Sequence, residues 1–152
     1  MCVRGAADNV IYDGEFRTAK IADFGESRMI KGGGGTTPYK QKGTLLFAAP
    51  EQVKHGRCGR AVDVWAFGCV LVCLFTDSSS PYPKTIGWEE LRQGLLAGTR
   101  QPELPHSSPG TKHSMQGFVR DSCKLDPENR PLTKDLAKQL AAAHARCASR
   151  PS

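Results

Sequence analysis

Asp23-Phe-Gly25, then Ala49-Pro-Glu51, then Asp63-Val-Trp-Ala-Phe-Gly68 decide how this chain is read. Each is weak alone, since any turn could hold an Asp-Phe-Gly. Their order, spacing and surroundings make them informative. Lys20-Ile-Ala-Asp-Phe-Gly25 reads as a strand running into a turn, with Gly25 supplying the freedom for a sharp reversal. Ala49 to Val53 is a candidate short helix. Ala61 to Phe75 is apolar almost all round, which predicts a central buried helix rather than a surface one.

Outward from these stretches the outline fills in. Asn9-Val-Ile-Tyr12, closed by the turn signal Asp13-Gly14, and Ala19-Lys-Ile-Ala22 predict two short strands joined by a tight connection. Met29 to Lys42 reads as loop: Gly32 to Gly35 are consecutive, and Thr36-Thr37-Pro38 interrupts any helix. Ser78 to Pro83 stops the central helix. Trp88 to Leu96 is an amphipathic helix ended by Gly98, Gln101 to Thr111 a Pro-rich connection, and Met115 to Cys123 a further helix. The last helix is predicted to start at Thr133 as N-cap, with Leu132, Leu136 and Leu140 as its apolar edge. The fold expected is mainly α, a short β-pair followed by about five helices. Residues 1–147 form one partial domain and 148–152 a tail.

Composition sets the bounds. A chain of 152 residues, 39% hydrophobic and 24% charged, suffices for one domain with a core. A net charge of +6 raises the question of nucleic acid, but the basic residues read as scattered rather than striped along one helix face. The six cysteines include no Cys-x-x-Cys and none has a histidine at zinc spacing, and Cys69 and Cys73 sit in the apolar helix as small hydrophobes. A disulfide framework is not expected without a secretory signal, and residues 1–20 lack one. Val64 to Phe75 is too short to span a bilayer. A cytoplasmic, non-membrane protein is the expectation.

The three stretches together resemble the second half of a protein kinase catalytic domain. The resemblance runs from about Asn9 to the last helix, and it implies a kinase C-lobe without the N-lobe. Asp23 then corresponds to the magnesium-binding aspartate, and Asn9, fourteen residues earlier and before an apolar strand, to the catalytic-loop asparagine. Both would serve ATP and magnesium, because a hard cation bridging phosphates wants oxygen ligands. Gly43 to Glu51 resembles the end of the activation segment, with Thr44 and Phe47 on the substrate shelf. Glu51 is expected to pair with Arg130, and Asp63 to bond backbone of the catalytic loop; the plain alternative for Asp63 is a helix-entry residue complementing the dipole. Thr36, Thr37, Tyr39 and Thr44 are hydroxyls in or beside the activation segment. Their phosphates could pair with Arg28, Lys31, Lys40 or Lys42, against the plain alternative of a solvated loop. Asp23-Phe-Gly-Glu-Ser-Arg28 and Trp88-Glu-Glu-Leu-Arg92 look most like the tyrosine-kinase-like group, whose members mostly modify Ser and Thr.

The chain also departs from the family. It supplies no Gly-rich strand loop over the phosphates and no strand lysine with its helix glutamate. Ala6-Ala7-Asp8-Asn9 resembles the Ala-Ala-x-Asn form of the catalytic loop, but counting back five from Asn9 lands on Arg4 where the base aspartate belongs. A guanidinium cannot accept a proton. Cys2 and Val3 stand where His and Arg would be. The expectation is that this chain alone transfers no phosphate, and that its partner is a protein substrate or a chain completing the lobe. The alternative is a non-catalytic interaction module. With the preceding helix missing, Val62, Val64, Phe67, Val70, Leu71 and Leu74 are expected to leave an exposed apolar patch.

Overall fold

In the computed structural model, residues 9–12, 14, 15, 18–25, 27, 29, 30, 37, 38, 45–104 and 113–148 are described. Strands β1 (Val10–Tyr12) and β2 (Ala19–Ile21) pair antiparallel, Val10 opposite Ile21 and Tyr12 opposite Ala19. The backbone N–H of Ala22 donates to the carbonyl of Asn9 at 2.8 Å, extending the ladder by one bond. Ile11 and Ile21 are both exposed. This hairpin is a surface element, not a core one.

A single 3-10 turn, Leu45–Phe47, leads into helix α1 (Pro50–His55). Pro50 suits the first helical turn because its missing N–H is needed by nothing. The N–H of Ala49 donates to Gln52 Oε1 at 2.8 Å, the half of a capping box that alanine leaves possible. Gly56, at φ 56°, closes α1 by donating to the Gln52 carbonyl. The chain then runs into β4 (Arg57–Cys58), which pairs antiparallel with β3 (Thr37–Pro38). Residues 29–42, expected to be loop throughout, therefore contain a strand. Two residues are too few to show a period of two. Cys58 is disulfide-bonded, against the expectation for this chain, and its partner lies outside the described side chains.

Helix α2 (Ala61–Thr76) is the centre of the molecule, with Trp65 and Cys69 wholly buried. The apolar patch expected here is largely absent. Val62, Val64 and Leu71 are buried and Phe67 and Val70 partly so, leaving only Leu74 of the six exposed, at 59%. Helix α4 (His113–Ser122) and the 3-10 turns at Leu45–Phe47 and Pro127–Asn129 close over the remaining faces. Gly68 makes the closest approach possible. A Cβ there would collide with Cys123 Sγ and stand 3.0 Å from Ser122 Cβ. Cys69, Cys73 and Cys123 are buried thiols. Burial, then the hydrogen bond with Cys123, push the Cys69 thiol well above its ordinary range, so it behaves as a hydrophobe.

Helix α3 (Trp88–Ala97) packs on α1, burying Leu91 and Leu95. It ends at Gly98, φ 69°, whose N–H bonds back to Leu95 at 3.3 Å. Left-handed backbone costs an L-residue roughly 1–2 kcal/mol. Gly98→Ala is therefore expected to lower stability by about 1 kcal/mol, read as a shifted urea midpoint at unchanged slope. Helix α5 (Thr133–Ala148) begins with Thr133 already helical. The Leu132 carbonyl accepts from Asp135 and Leu136 at 2.9 and 3.0 Å, so Leu132 caps the helix and Thr133 does not. That placement turns Leu132 out to 59% exposure, while Leu136 and Ala143 face the core. Among the described residues no helix is long and apolar enough to cross a membrane.

Candidate functional site

The β1–β2 ladder sets one end of the site. Because Ala22 donates a backbone hydrogen bond to Asn9, Asn9 lies beside the entry to Asp23 despite thirteen residues between them. Asp23 holds φ 56°, and Gly25 is not among the described residues with positive φ. The reversal expected at Gly25 is therefore made by Asp23. Aspartate tolerates this conformation because its short side chain can bond the nearby backbone. Here Oδ1 accepts from the Gly25 N–H at 3.2 Å. A Cβ on Gly25 would stand 3.2 Å from that same oxygen, so glycine serves here by leaving the carboxylate uncrowded rather than by bending the chain. Phe24 is half-exposed beside it.

The other end is built by α1. Leu45 is fully buried and Phe47 partly, which seats the Leu45–Phe47 turn against α2. Thr37 is described in its backbone only, opposite Cys58. Arg4, Thr36, Tyr39 and Thr44 lie outside the described residues.

Arg130 ties α1 to the rest. Its Nη1 donates to Glu51 Oε1 at 2.7 Å and its Nη2 to Glu51 Oε2 at 2.9 Å, a two-pronged pair. The remaining donors meet carbonyls: Nη1 to Ala61 at 3.0 Å, Nη2 to Leu125 at 3.3 Å, Nε to Lys124 at 2.8 Å. A guanidinium has five N–H groups, and all five have acceptors. The side chain is inaccessible to solvent, Glu51 nearly so, and the guanidinium carbon lies 5.0 Å from the centre of the Trp65 ring. Asp63 stands in the first turn of α2, half-buried.

A sequence profile of the protein kinase domain matches residues 7–141. The chain belongs to the protein kinase family. Among its relatives, mouse megakaryocyte-associated tyrosine-protein kinase is 32% identical over 136 residues, 89% of this chain and 25% of the relative. Mouse tyrosine-protein kinase Fgr is 35% identical over 127 residues, covering 84% of this chain and 24% of Fgr. The rat megakaryocyte-associated enzyme is 33% identical over 139 residues, 89% and 27% of the two chains. This kinase chain thus spans about a quarter of the length of these relatives.

Three contributors to the site went unread in the sequence. Gln52 steadies the start of α1, though the usual signature for such a cap has Ser or Thr at the position of Ala49. Trp65 stacks under Arg130. The β3–β4 ladder holds the backbone of Thr37 and Pro38 against the strand that leaves α1.

Proposed function

We propose that this chain is the substrate-side half of a kinase domain whose completed form transfers the γ-phosphate of ATP to a protein hydroxyl. By itself the chain transfers none. The observation that carries the reading is the end of the hairpin, where the Asn9 carbonyl accepts from the Ala22 N–H one residue before Asp23. The amide oxygen of Asn9 and the carboxylate of Asp23 are the hard oxygen donors a magnesium ion prefers. Asp23 is exposed, so its carboxylate can meet a ligand without a buried charge having to be uncovered. Magnesium, when bound, would neutralise charge on the nucleotide phosphates.

What the chain's own residues contribute is positioning. Asn9 and Asp23 would hold the metal, Phe47 and Thr44 would offer the shelf for the acceptor peptide, and Arg130 fixes α1 so that the shelf stays in place. Nothing in the 152 residues supplies the phosphate-covering loop or its lysine, and Arg4 occupies the position of the base. The group resemblance favours Ser or Thr as acceptor. The names of the relatives favour tyrosine, and Ala6, where Ser/Thr kinases often place lysine, agrees with them.

The test joins the N-terminal kinase residues of a matched relative to this chain carrying Arg4→Asp, with radiolabelled ATP and paired Ser, Thr and Tyr peptides. Transfer by the joined protein and none by the chain alone is expected, with the labelled peptide deciding the acceptor. Transfer by the unmodified chain would overturn its inactivity. A folded, nucleotide-binding fusion without transfer would favour the second reading, a non-catalytic interaction module, which Arg4 supports.

A further inference from the structure

The excess charge of the chain is not spread along it. Residues 27–62 carry seven Lys and Arg against a single carboxylate, Glu51, while the rest of the chain balances at fourteen of each. The net +6 therefore belongs to this stretch alone. Glu51 offers no relief there, because Arg130 holds both its oxygens.

The fold gathers part of the stretch. β3 and β4 pair, with Pro38 opposite Arg57, so the activation segment meets the basic run Lys54-His55-Gly-Arg57-Cys-Gly-Arg60 at this ladder. Lys54, His55 and Arg60 are exposed, and among the described residues none of them makes an ion pair. Elsewhere Arg92 pairs with Glu89, Arg100 with Glu90 and Lys124 with Asp121, while Lys84, Lys134 and Lys138 are single exposed cations without an ion pair among the described residues. Lys54 and His55 end α1, where positive charge suits the helix dipole. Arg60 has no such excuse: it stands at the N-cap of α2, the wrong end for a cation, with no side-chain cap bond. A residue that breaks a local rule without a local gain points to a function.

The geometry points to a docking surface for an acidic protein segment, formed beside the β3–β4 ladder by the exposed Lys54, His55 and Arg60 of the run that also carries Arg57. Charge complementarity selects the partner. Nucleic acid fits less well. Residues 27–62 contain only Tyr39 and Phe47 as aromatics on which bases could stack, and α1, at six residues, is no groove-reading helix. The surface adjoins the substrate shelf, so in the completed kinase it would favour acceptors with nearby carboxylates. That last step rests on the function proposed above, whereas the binding itself does not.

The test uses the full chain and two fluorescent peptides, one Glu-rich and one with every Glu replaced by Gln, followed by anisotropy across a salt series. The Glu peptide is expected to bind at least about tenfold more tightly and to weaken steeply with salt. Lys54→Gln/Arg57→Gln/Arg60→Gln is expected to weaken it by about tenfold, while Lys84→Gln/Lys134→Gln/Lys138→Gln, equal in charge removed, changes it less than about twofold. Circular dichroism checks that each variant is folded, and Arg60→Gln alone, at an exposed position, serves if the triple is not. Equal binding of the two peptides, or equal loss in both triple variants, overturns the proposal. So does tighter binding of a single-stranded oligonucleotide of matched charge. A completed kinase that transfers no phosphate but still prefers the Glu peptide would overturn the function and leave the surface standing.

Discussion

Arg130→Ala is expected to bring the helical part of this chain to the edge of unfolding at ambient temperature. The substitution removes five donors at once and leaves the Glu51 carboxylate and the carbonyls of Ala61, Lys124 and Leu125 to find others. Breaking a buried pair from one side costs about 3–5 kcal/mol, because the surviving charge has been taken out of water and no longer has a partner. Whole domains are commonly stable by only about 5–15 kcal/mol. Arg130→Lys is expected to recover little, since an ammonium cannot match the two carboxylate oxygens and three carbonyls from one point. Urea unfolding followed by far-UV circular dichroism measures both variants. If Arg130→Ala unfolds within about 1 kcal/mol of the parent, the pair is ornamental and other contacts hold the lobe together.

Gly68→Val should be nearly as damaging for a different reason. Here the obstacle is space. Any side chain at residue 68 meets Cys123 Sγ and Ser122 Cβ, and with Trp65 and Cys69 flanking it on α2 the helices must part to admit it. Overpacking of this kind costs about 3 kcal/mol at the upper end of its usual range. Cause can be separated from consequence by adding Cys123→Ala. If close packing is at fault, the double variant is more stable than the sum of the single effects predicts, a coupling of about 1 kcal/mol or more. Strict additivity would point instead to a helix-propensity effect.

Much of this architecture could be read from the residues, and the reasons differ by element. Helix α2 announces itself because its interior demand is strong: sixteen residues with almost no polar face have nowhere to go but the centre. Helix α3 is readable from its spacing and from Gly98. The Glu51–Arg130 pair is not deducible from periodicity at all; the family resemblance suggested it, and the geometry shows it. What escaped notice was either too short or decided at long range. Strands β3 and β4 have two residues each and no pattern to display. The reversal at Asp23 went to Gly25 because glycine is the safer guess wherever a chain turns, whereas the local bond to the Gly25 N–H settles it. The burial of Val62, Val64 and Leu71 depended on where α4 and two isolated turns would land, and no local signal carries that. Arg4, Thr36, Tyr39 and Thr44 rest on the sequence alone.

The partners in the central ion pair are 79 residues apart. A ribosome adds roughly 5–20 residues per second, so once Glu51 has been made its counter-ion follows only after about 4–16 s. Through that interval the carboxylate waits in solvent, and the apolar flank of α2 is bare until α4 has also been synthesised. The nascent chain therefore spends seconds with this apolar flank uncovered before its keystone arrives.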